Sequence, residues 1–205
     1  MSKDIILSKI LRKLSFLYVL FGLGIGVGFF IPPTVAMGIS IITLIVLLIT
    51  MFAKLKPTTM NKIVYLLTIC LGITMKFSLT HYLGTLGSST VIMVFSATII
   101  IFVAMGIVGF SSKRDYSSLG KYLFFALLAL IIVGVVGIFI VPSTPLVILI
   151  SALGAVIFTL YTLYDFNQIA KGHVTEEEVT VVAFGLLLDF INLFLDLLRL
   201  VEAVK

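Results

Sequence analysis

Long apolar segments alternate with short polar breaks along the 205 residues of the chain. The breaks are rich in proline, glycine, serine, threonine and lysine, which interrupt apolar helices. Read in order, they are IPPT, KLKPTTMNK, THYLGTLGSS, SSKRDYSSLGK, VPSTP and KGHVTEEE. They leave seven apolar segments, at approximately 14–31, 34–53, 62–80, 88–110, 120–141, 145–170 and 178–201. Because each is close to the ~20 residues that a helix needs to cross a hydrocarbon core, the pattern predicts seven transmembrane helices in a single membrane domain, residues 1–205.

The composition supports an all-α integral membrane protein whose surroundings are a lipid bilayer. Hydrophobic residues make up 61% of the chain and charged residues 11%, and the mean hydropathy is +1.31. Soluble domains are about 45–50% apolar and about 25% charged. The net charge of +5 does not indicate a nucleic-acid partner, because the basic residues lie in short breaks and form no tract with interleaved aromatic residues.

The distribution of lysine and arginine predicts the orientation of the chain. Eleven of the 14 basic residues precede segment one or lie in the breaks after segments two, four and six, whereas the other three breaks contain none. The positive-inside rule then places the N-terminus in the cytoplasm and the C-terminus on the opposite side. Short loops without an obvious retention or lipidation signal favour a bacterial plasma membrane.

Two aspartates, Asp165 and Asp189, lie inside the last two apolar segments. The position midway between them is residue 177, in the middle of the EEE sequence that joins the segments. Each carboxyl group is therefore up to ~18 Å from the turn, measured along a helix, and the two can face each other at the same depth. An ionised group costs roughly 2.5 kcal/mol or more at the centre of a bilayer, and such groups usually mark an ion or proton pathway. The alternative is two separate acids, each hydrogen-bonded to backbone or reaching the membrane surface.

The motifs around these aspartates resemble the paired C-terminal signature of the transmembrane Bax inhibitor motif family, also called the Bax inhibitor-1 family. They are YDFNQI at Tyr164 to Ile169 and LLDFINLFLDLLRL at Leu187 to Leu200. The resemblance extends to the seven-segment layout. It implies a central seventh helix wrapped by the other six, and a pH-sensitive calcium leak channel. It also implies that Asp165 and Asp189 form a hydrogen-bonded pair whose protonation gates the path.

The chemistry of two carboxyl groups in a low-dielectric site agrees with that role. They cannot both ionise cheaply, so they tend to share one proton and to release it only as the pH approaches neutrality. Calcium prefers six to eight oxygen ligands. Asp165 and Asp189, with Asn167, Asn192 and backbone carbonyls, offer only a weak and transient site, which suits permeation. Calcium is then the permeant ion, with protons as the regulator, and we expect no cofactor.

Three other charged residues are secondary candidates for the pathway. Asp196 lies seven residues after Asp189 and thus on roughly the same helix face. Its partner is either Lys76, the only base well inside a segment, or Arg199 one turn away, and the sequence leaves the choice open. Lys54 could reach the cytoplasmic end of the aspartate pair as a latch. An acid that some relatives of this type carry in segment two is missing here, so the path has fewer anionic positions.

Glycines 22, 24, 26 and 28 of segment one form two overlapping faces of small residues. Such faces permit close contact between transmembrane helices. The sequence favours a contact within the bundle over one between copies of the chain.

The same residues argue against one other class of function and are compatible with two more. Intramembrane aspartyl proteases need glycines just before the second acid, where this chain has Leu186, Leu187 and Leu188, so we predict that the protein is not an enzyme. A non-transporting membrane regulator and a proton-coupled carrier are both compatible with the motifs. The sequence does not identify a protein partner.

Overall fold

A computed structural model describes residues 3–53, 55–140 and 142–205. Within these ranges the chain forms seven α-helices and no strand. In chain order they are α1 (Lys3–Gly28), α2 (Pro33–Phe52), α3 (Pro57–Leu86), α4 (Ser88–Ser111), α5 (Leu119–Phe139), α6 (Thr144–Ala170) and α7 (Val179–Val204). All seven are long and apolar enough to cross a membrane, which confirms the predicted fold class.

Proline and glycine set several of the helix boundaries. Pro33 begins α2, where its missing N–H has no intrahelical partner to lose. Gly87, with a φ of 82°, is the single residue between α3 and α4. Gly172, with a φ of 76°, ends α6 and donates its backbone N–H to the carbonyl of Ile169. These left-handed conformations favour glycine because it has no Cβ.

Three predicted boundaries differ from the structure by five residues or more: the start of α1 and both ends of α3, which begins at Pro57 rather than near residue 62. Helix α1 begins at Lys3 rather than near residue 14, because the basic lead-in has an apolar stripe at helical spacing. Within it Ile6, Ile10 and Leu14 are buried. Helix α3 continues to Leu86 rather than ending near residue 80. The polar residues of the THYLGTLGSS break are tolerated in the helix, and the chain turns only at Gly87.

Helix α7 is the most buried of the described helices. In its most apolar stretch 61% of the residues are buried, whereas the values for the other six lie between 6% and 33%. The remaining helices expose many large apolar side chains, such as Phe52, Phe125 and Phe139. This distribution suits helices whose outer faces contact lipid, since apolar surface carries no penalty there.

The described residues fall into two compact units. The first is drawn from Met1–Gly84 and Val174–Leu187, and the second from Thr85–His173 and Leu188–Lys205. The first unit therefore contains α1, α2, most of α3 and the first part of α7. The second contains α4, α5, α6 and the rest of α7.

In the first unit, α1 and α3 approach each other through glycine. A Cβ added to Gly24 would overlap the carbonyl oxygen of Ile69 and lie 3.0 Å from the Cα of Gly72. A Cβ on Gly28 would lie 2.9 Å from the carbonyl oxygen of Ile73. Gly22 and Gly26 face open space. Of the two small-residue faces predicted for α1, the one that carries Gly24 and Gly28 makes the contact, and the contact lies within the chain.

We expect Gly24→Ala to lower the unfolding temperature in detergent, because the methyl group would force two backbones apart. Overpacking of this kind costs about 1–3 kcal/mol. Gly22→Ala is the matched control: its Cβ meets nothing within 4 Å, so the substitution should be neutral or stabilising by up to about 1 kcal/mol. Equal shifts in the two variants would contradict the close α1 and α3 contact.

In the second unit, α4 and α6 pack backbone to backbone. A Cβ on Gly109 would overlap the carbonyl oxygen of Leu163, and one on Gly106 would lie 3.0 Å from the ring of Phe166. Ring edges meet ring faces nearby: Phe102 lies 6.0 Å from Phe166 and 5.5 Å from Phe190, measured between ring centroids. Edge-to-face pairs of this kind add to the energy of apolar burial. This packing fixes the part of α6 that carries Asp165.

Candidate functional site

Asp165 lies in the last two turns of α6 and Asp189 lies in α7, both in the second unit. Asp189 is buried, with 5% of its surface exposed, and Asp165 is half-buried. The two carboxyl groups are within electrostatic range of each other and of the Tyr161 hydroxyl group. Tyr161 precedes Asp165 by four residues, so the two side chains lie on one face of α6.

One oxygen of Asp189 is left without a partner. Its Oδ2 atom is fully buried and accepts no hydrogen bond from any residue that the structure describes. A buried acceptor in this condition costs free energy, more so when the group is charged. A proton shared with a neighbouring acid, or a bound cation, would remove that cost.

Buried aromatic side chains lie on the helix segments that carry both aspartates. Phe166 and Phe190 directly follow Asp165 and Asp189 in the sequence, and Phe102 of α4 contacts both rings edge-on. The two rings are 9% exposed. The helix segments that carry the acids are therefore packed against apolar side chains, and such a low-dielectric environment strengthens electrostatic interactions.

The sequence suggested Asn167 as a calcium ligand, but in the structure its side chain is hydrogen-bonded to backbone atoms. It is completely buried, and its side-chain oxygen accepts the backbone N–H of Tyr116 at 2.8 Å. Its amide nitrogen donates to the carbonyls of Gly109 at 3.1 Å and Arg114 at 3.0 Å. The side chain is thus engaged with the end of α4 and the connection to α5, and it braces that connection against α6.

Lys171 adds to the brace from the end of α6. Its ammonium group donates to the backbone carbonyls of Ser112 at 3.0 Å and Lys113 at 2.7 Å. In the same connection, Asp115 accepts two hydrogen bonds from Ser117, from the backbone N–H at 2.8 Å and the hydroxyl at 2.6 Å. These bonds are the main reason that the pKa of Asp115 is lowered from its ordinary value. Asp115 is therefore ionised at all pH values near neutrality.

Asp196 forms its ion pair with Arg199. The guanidinium Nη1 donates to Oδ1 at 2.8 Å, and Asp196 is 7% exposed. The ammonium group of Lys76, the other partner that the sequence allowed, lies over aromatic rings, 4.4 Å from the centroid of Phe77 and 5.3 Å from that of Phe29.

The other secondary candidates have less defined surroundings. Asn192 is half-buried on α7, and Lys54 lies outside the described residues. No group of three or more histidine, cysteine, aspartate or glutamate side chains that could hold a metal ion occurs within residues 3–53, 55–140 and 142–205. The oxygen ligands that Asp165 and its surroundings offer are the carboxyl groups of Asp165 and Asp189 and the Tyr161 hydroxyl.

Comparisons with known proteins address the identity of the chain. The family described as "Inhibitor of apoptosis-promoting Bax1" matches residues 5–205. Three similar relatives, each named an uncharacterized membrane protein, come from Streptococcus pyogenes serotypes M3, M1 and M6. Each is 30% identical over 221 residues, which cover 96% of this chain and 93% of the relative. With its seven apolar helices, the chain is therefore a membrane protein that belongs to the Bax inhibitor-1 family.

Proposed function

We propose that the protein is a pH-sensitive calcium leak channel of a bacterial plasma membrane, gated by the carboxyl groups of Asp165 and Asp189. The observation that carries the proposal is the buried, unpartnered Oδ2 of Asp189, within electrostatic range of Asp165. The resemblance of the surrounding motifs to the family signature supports the same assignment. In this proposal the N-terminus is cytoplasmic, as the distribution of basic residues indicates.

The gate depends on the charge that the two acids carry together. With one shared proton, the carboxyl groups attract each other and hold α6 and α7 in contact. When that proton leaves, two negative charges face each other in a low-dielectric environment, and their repulsion is strong. The helices then separate, or a cation neutralises both charges. We therefore expect flux to increase as the pH rises.

Calcium fits the site as an ion in transit. It prefers carboxylate oxygens but takes six to eight ligands, and Asp165, Asp189 and the Tyr161 hydroxyl supply fewer than that. The remaining ligands would be backbone carbonyls and water. An incomplete set of ligands releases the ion readily, and conduction requires such release.

Calcium entry into liposomes that contain only the purified protein tests this function. A leak channel should pass calcium without saturation and without a proton gradient, more rapidly at higher pH. A proton-coupled carrier would saturate with calcium and need the gradient, and a non-transporting regulator would leave the liposomes as tight as protein-free ones. Either of the last two results would overturn the proposal.

A further inference from the structure

Helix α7 carries a second buried acid, Asp196, on the side that bears Asp189. Asp196 follows Asp189 by seven residues, about two helix turns or ~10 Å along the axis. Both carboxyl groups are directed toward α6: that of Asp189 is in electrostatic range of Asp165, and that of Asp196 lies against Gly154. The acids are therefore arranged in a row along the contact between these two helices of the second unit.

Glycine at position 154 makes room for the Asp196 carboxyl group. A Cβ at this position would overlap Oδ2 of Asp196 and lie 2.7 Å from its Cγ. Ser151, one turn before Gly154 on the same buried face of α6, has a completely buried hydroxyl group. This hydroxyl makes no hydrogen bond to the part of the chain that the structure describes. The α6 face thus offers a recess for Asp196 at Gly154 and, one turn away, a buried hydroxyl group at Ser151 without a described hydrogen-bond partner.

Arg199 forms an ion pair with the Asp196 carboxyl group and is the more exposed of the two side chains. Its side chain is 44% exposed, whereas that of Asp196 is 10% exposed, so the guanidinium reaches inward from the surface. A cavity of about 190 Å³ lies beside it, lined by Pro142, Thr144, Val147, Arg199, Glu202 and Ala203. Glu202 follows Arg199 by three residues, within reach of a side chain on the same helix face. The guanidinium can therefore leave Asp196 for the cavity without crossing a packed core.

We propose that Asp196 is a second binding position for a divalent cation, at the end of the row remote from Asp165, and that Arg199 is its lock. The guanidinium and the cation compete for one carboxylate. A cation binds only when Arg199 moves into the cavity beside Glu202. The hydroxyl of Ser151 supplies a further oxygen to the bound ion. This inference rests on the proposed calcium pathway for its physiological meaning, but the binding position can be tested without any flux.

The direct test measures binding of radioactive calcium to the purified protein in lipid nanodiscs at neutral pH. Arg199→Gln removes the competing charge and keeps a polar side chain, so it should bind one additional calcium ion per chain relative to the unmodified protein. The gain should disappear in the double variant Arg199→Gln, Asp196→Asn. Lys121→Gln is the matched control. It removes one positive charge from the same unit, where the ammonium group lies over the Tyr122 ring, and should gain no site.

A second measurement does not depend on the stability of the Arg199→Gln variant. In the unmodified protein, isotope-labelled arginine side chains report on the lock by nuclear magnetic resonance. Adding calcium should shift the Arg199 signal while those of Arg12 and Arg114 stay unchanged, and Asp196→Asn should abolish the shift. An Arg199 signal that ignores calcium, or an Arg199→Gln variant that binds no more calcium than the unmodified protein, would overturn the inference.

Liposome flux separates this inference from the proposed function. If the unmodified protein passes calcium but Arg199→Gln binds no additional calcium, the proposed role of Arg199 is wrong and the proposed channel function is retained. If the unmodified protein passes no calcium but Arg199→Gln gains a calcium site that Asp196→Asn removes, the proposed channel function is wrong and the proposed binding position at Asp196 is retained. If both are right, Arg199→Gln should pass calcium several-fold faster than the unmodified protein.

Discussion

Asp165→Asn should abolish most of the pH dependence of calcium flux between about pH 6 and pH 8 while the protein stays folded. Asparagine has nearly the size and hydrogen-bonding capacity of a protonated aspartate, but it cannot titrate. Asp189 would then face a neutral amide, and the repulsion that follows loss of the shared proton could no longer arise. Flux measured in liposomes at a series of pH values tests this expectation.

The direction in which calcium flux changes with pH depends on whether the closed or the open state holds the shared proton. Under the proposed gate, low pH keeps the shared proton in place and the path closed in the unmodified protein, so we expect flux to be lowest there and to rise with pH. In Asp165→Asn the flux should be nearly constant over the same range. A variant whose flux still rises with pH as steeply as that of the unmodified protein would remove Asp165 from the gate.

Asp115→Asn provides the control for this measurement. Asp115 belongs to the same unit but lies in the connection between α4 and α5, and hydrogen bonds from Ser117 lower its pKa. It is ionised throughout the range from pH 6 to pH 8, above the ordinary aspartate value of about 3.9. Replacing it should therefore leave the pH profile unchanged. A flattened profile in this variant would show that loss of any carboxylate disturbs the assay.

Asn167→Ala should produce the largest loss of stability among single alanine substitutions of polar residues in α6. It would leave one backbone N–H and two carbonyls without their partner. Each buried group that loses its hydrogen bond costs about 1–3 kcal/mol. Because water can reach part of the connection, we expect a total of about 2–5 kcal/mol, measured by thermal or denaturant unfolding in detergent.

Two further variants test whether the expected loss of stability comes from the hydrogen bonds of the Asn167 amide. Asn167→Asp keeps the oxygen that accepts the Tyr116 N–H but places a second oxygen against the carbonyls of Gly109 and Arg114, so its loss of stability should be at least as large as that of Asn167→Ala. Asn192→Ala, which removes a half-buried amide from α7, should cost less than either. If Asn192→Ala and Asn167→Ala unfold at the same temperature, the amide of Asn167 does not brace the connection.

The helices could be predicted from the sequence because membrane spans are set by the length and polarity of short segments. The start of α1 and the end of α3 could not. A basic amphipathic turn and a polar helix end are compatible with either helix or loop, and only the φ of Gly87 decides where α3 stops. The contact of Gly24 with α3 was likewise open, since small residues on a helix do not reveal which neighbour they face.

Some features of the candidate site could likewise be predicted from the sequence, and others could not. Asp165 and Asp189 were found from the sequence because a carboxyl group inside an apolar run is anomalous on its own. The bracing role of Asn167 was missed because its partners lie 51 to 58 residues away, and no local pattern connects them. The pairing of Asp196 with Arg199 was one of two alternatives, and only the orientation of the side chains distinguishes them.

The brace at Asn167 and Lys171 has a consequence for how a gate of this kind can move. It ties the end of α6 to the end of α4 and the connection after it through five hydrogen bonds to backbone atoms. Asn167 and Lys171 follow Asp165 by two and six residues. In the proposed gate we therefore expect α6 to be the stationary partner. When charge accumulates between the acids, the displacement should fall on the Asp189 segment of α7, and spin labels on α4 and α6 should keep their separation while labels on α6 and α7 move apart.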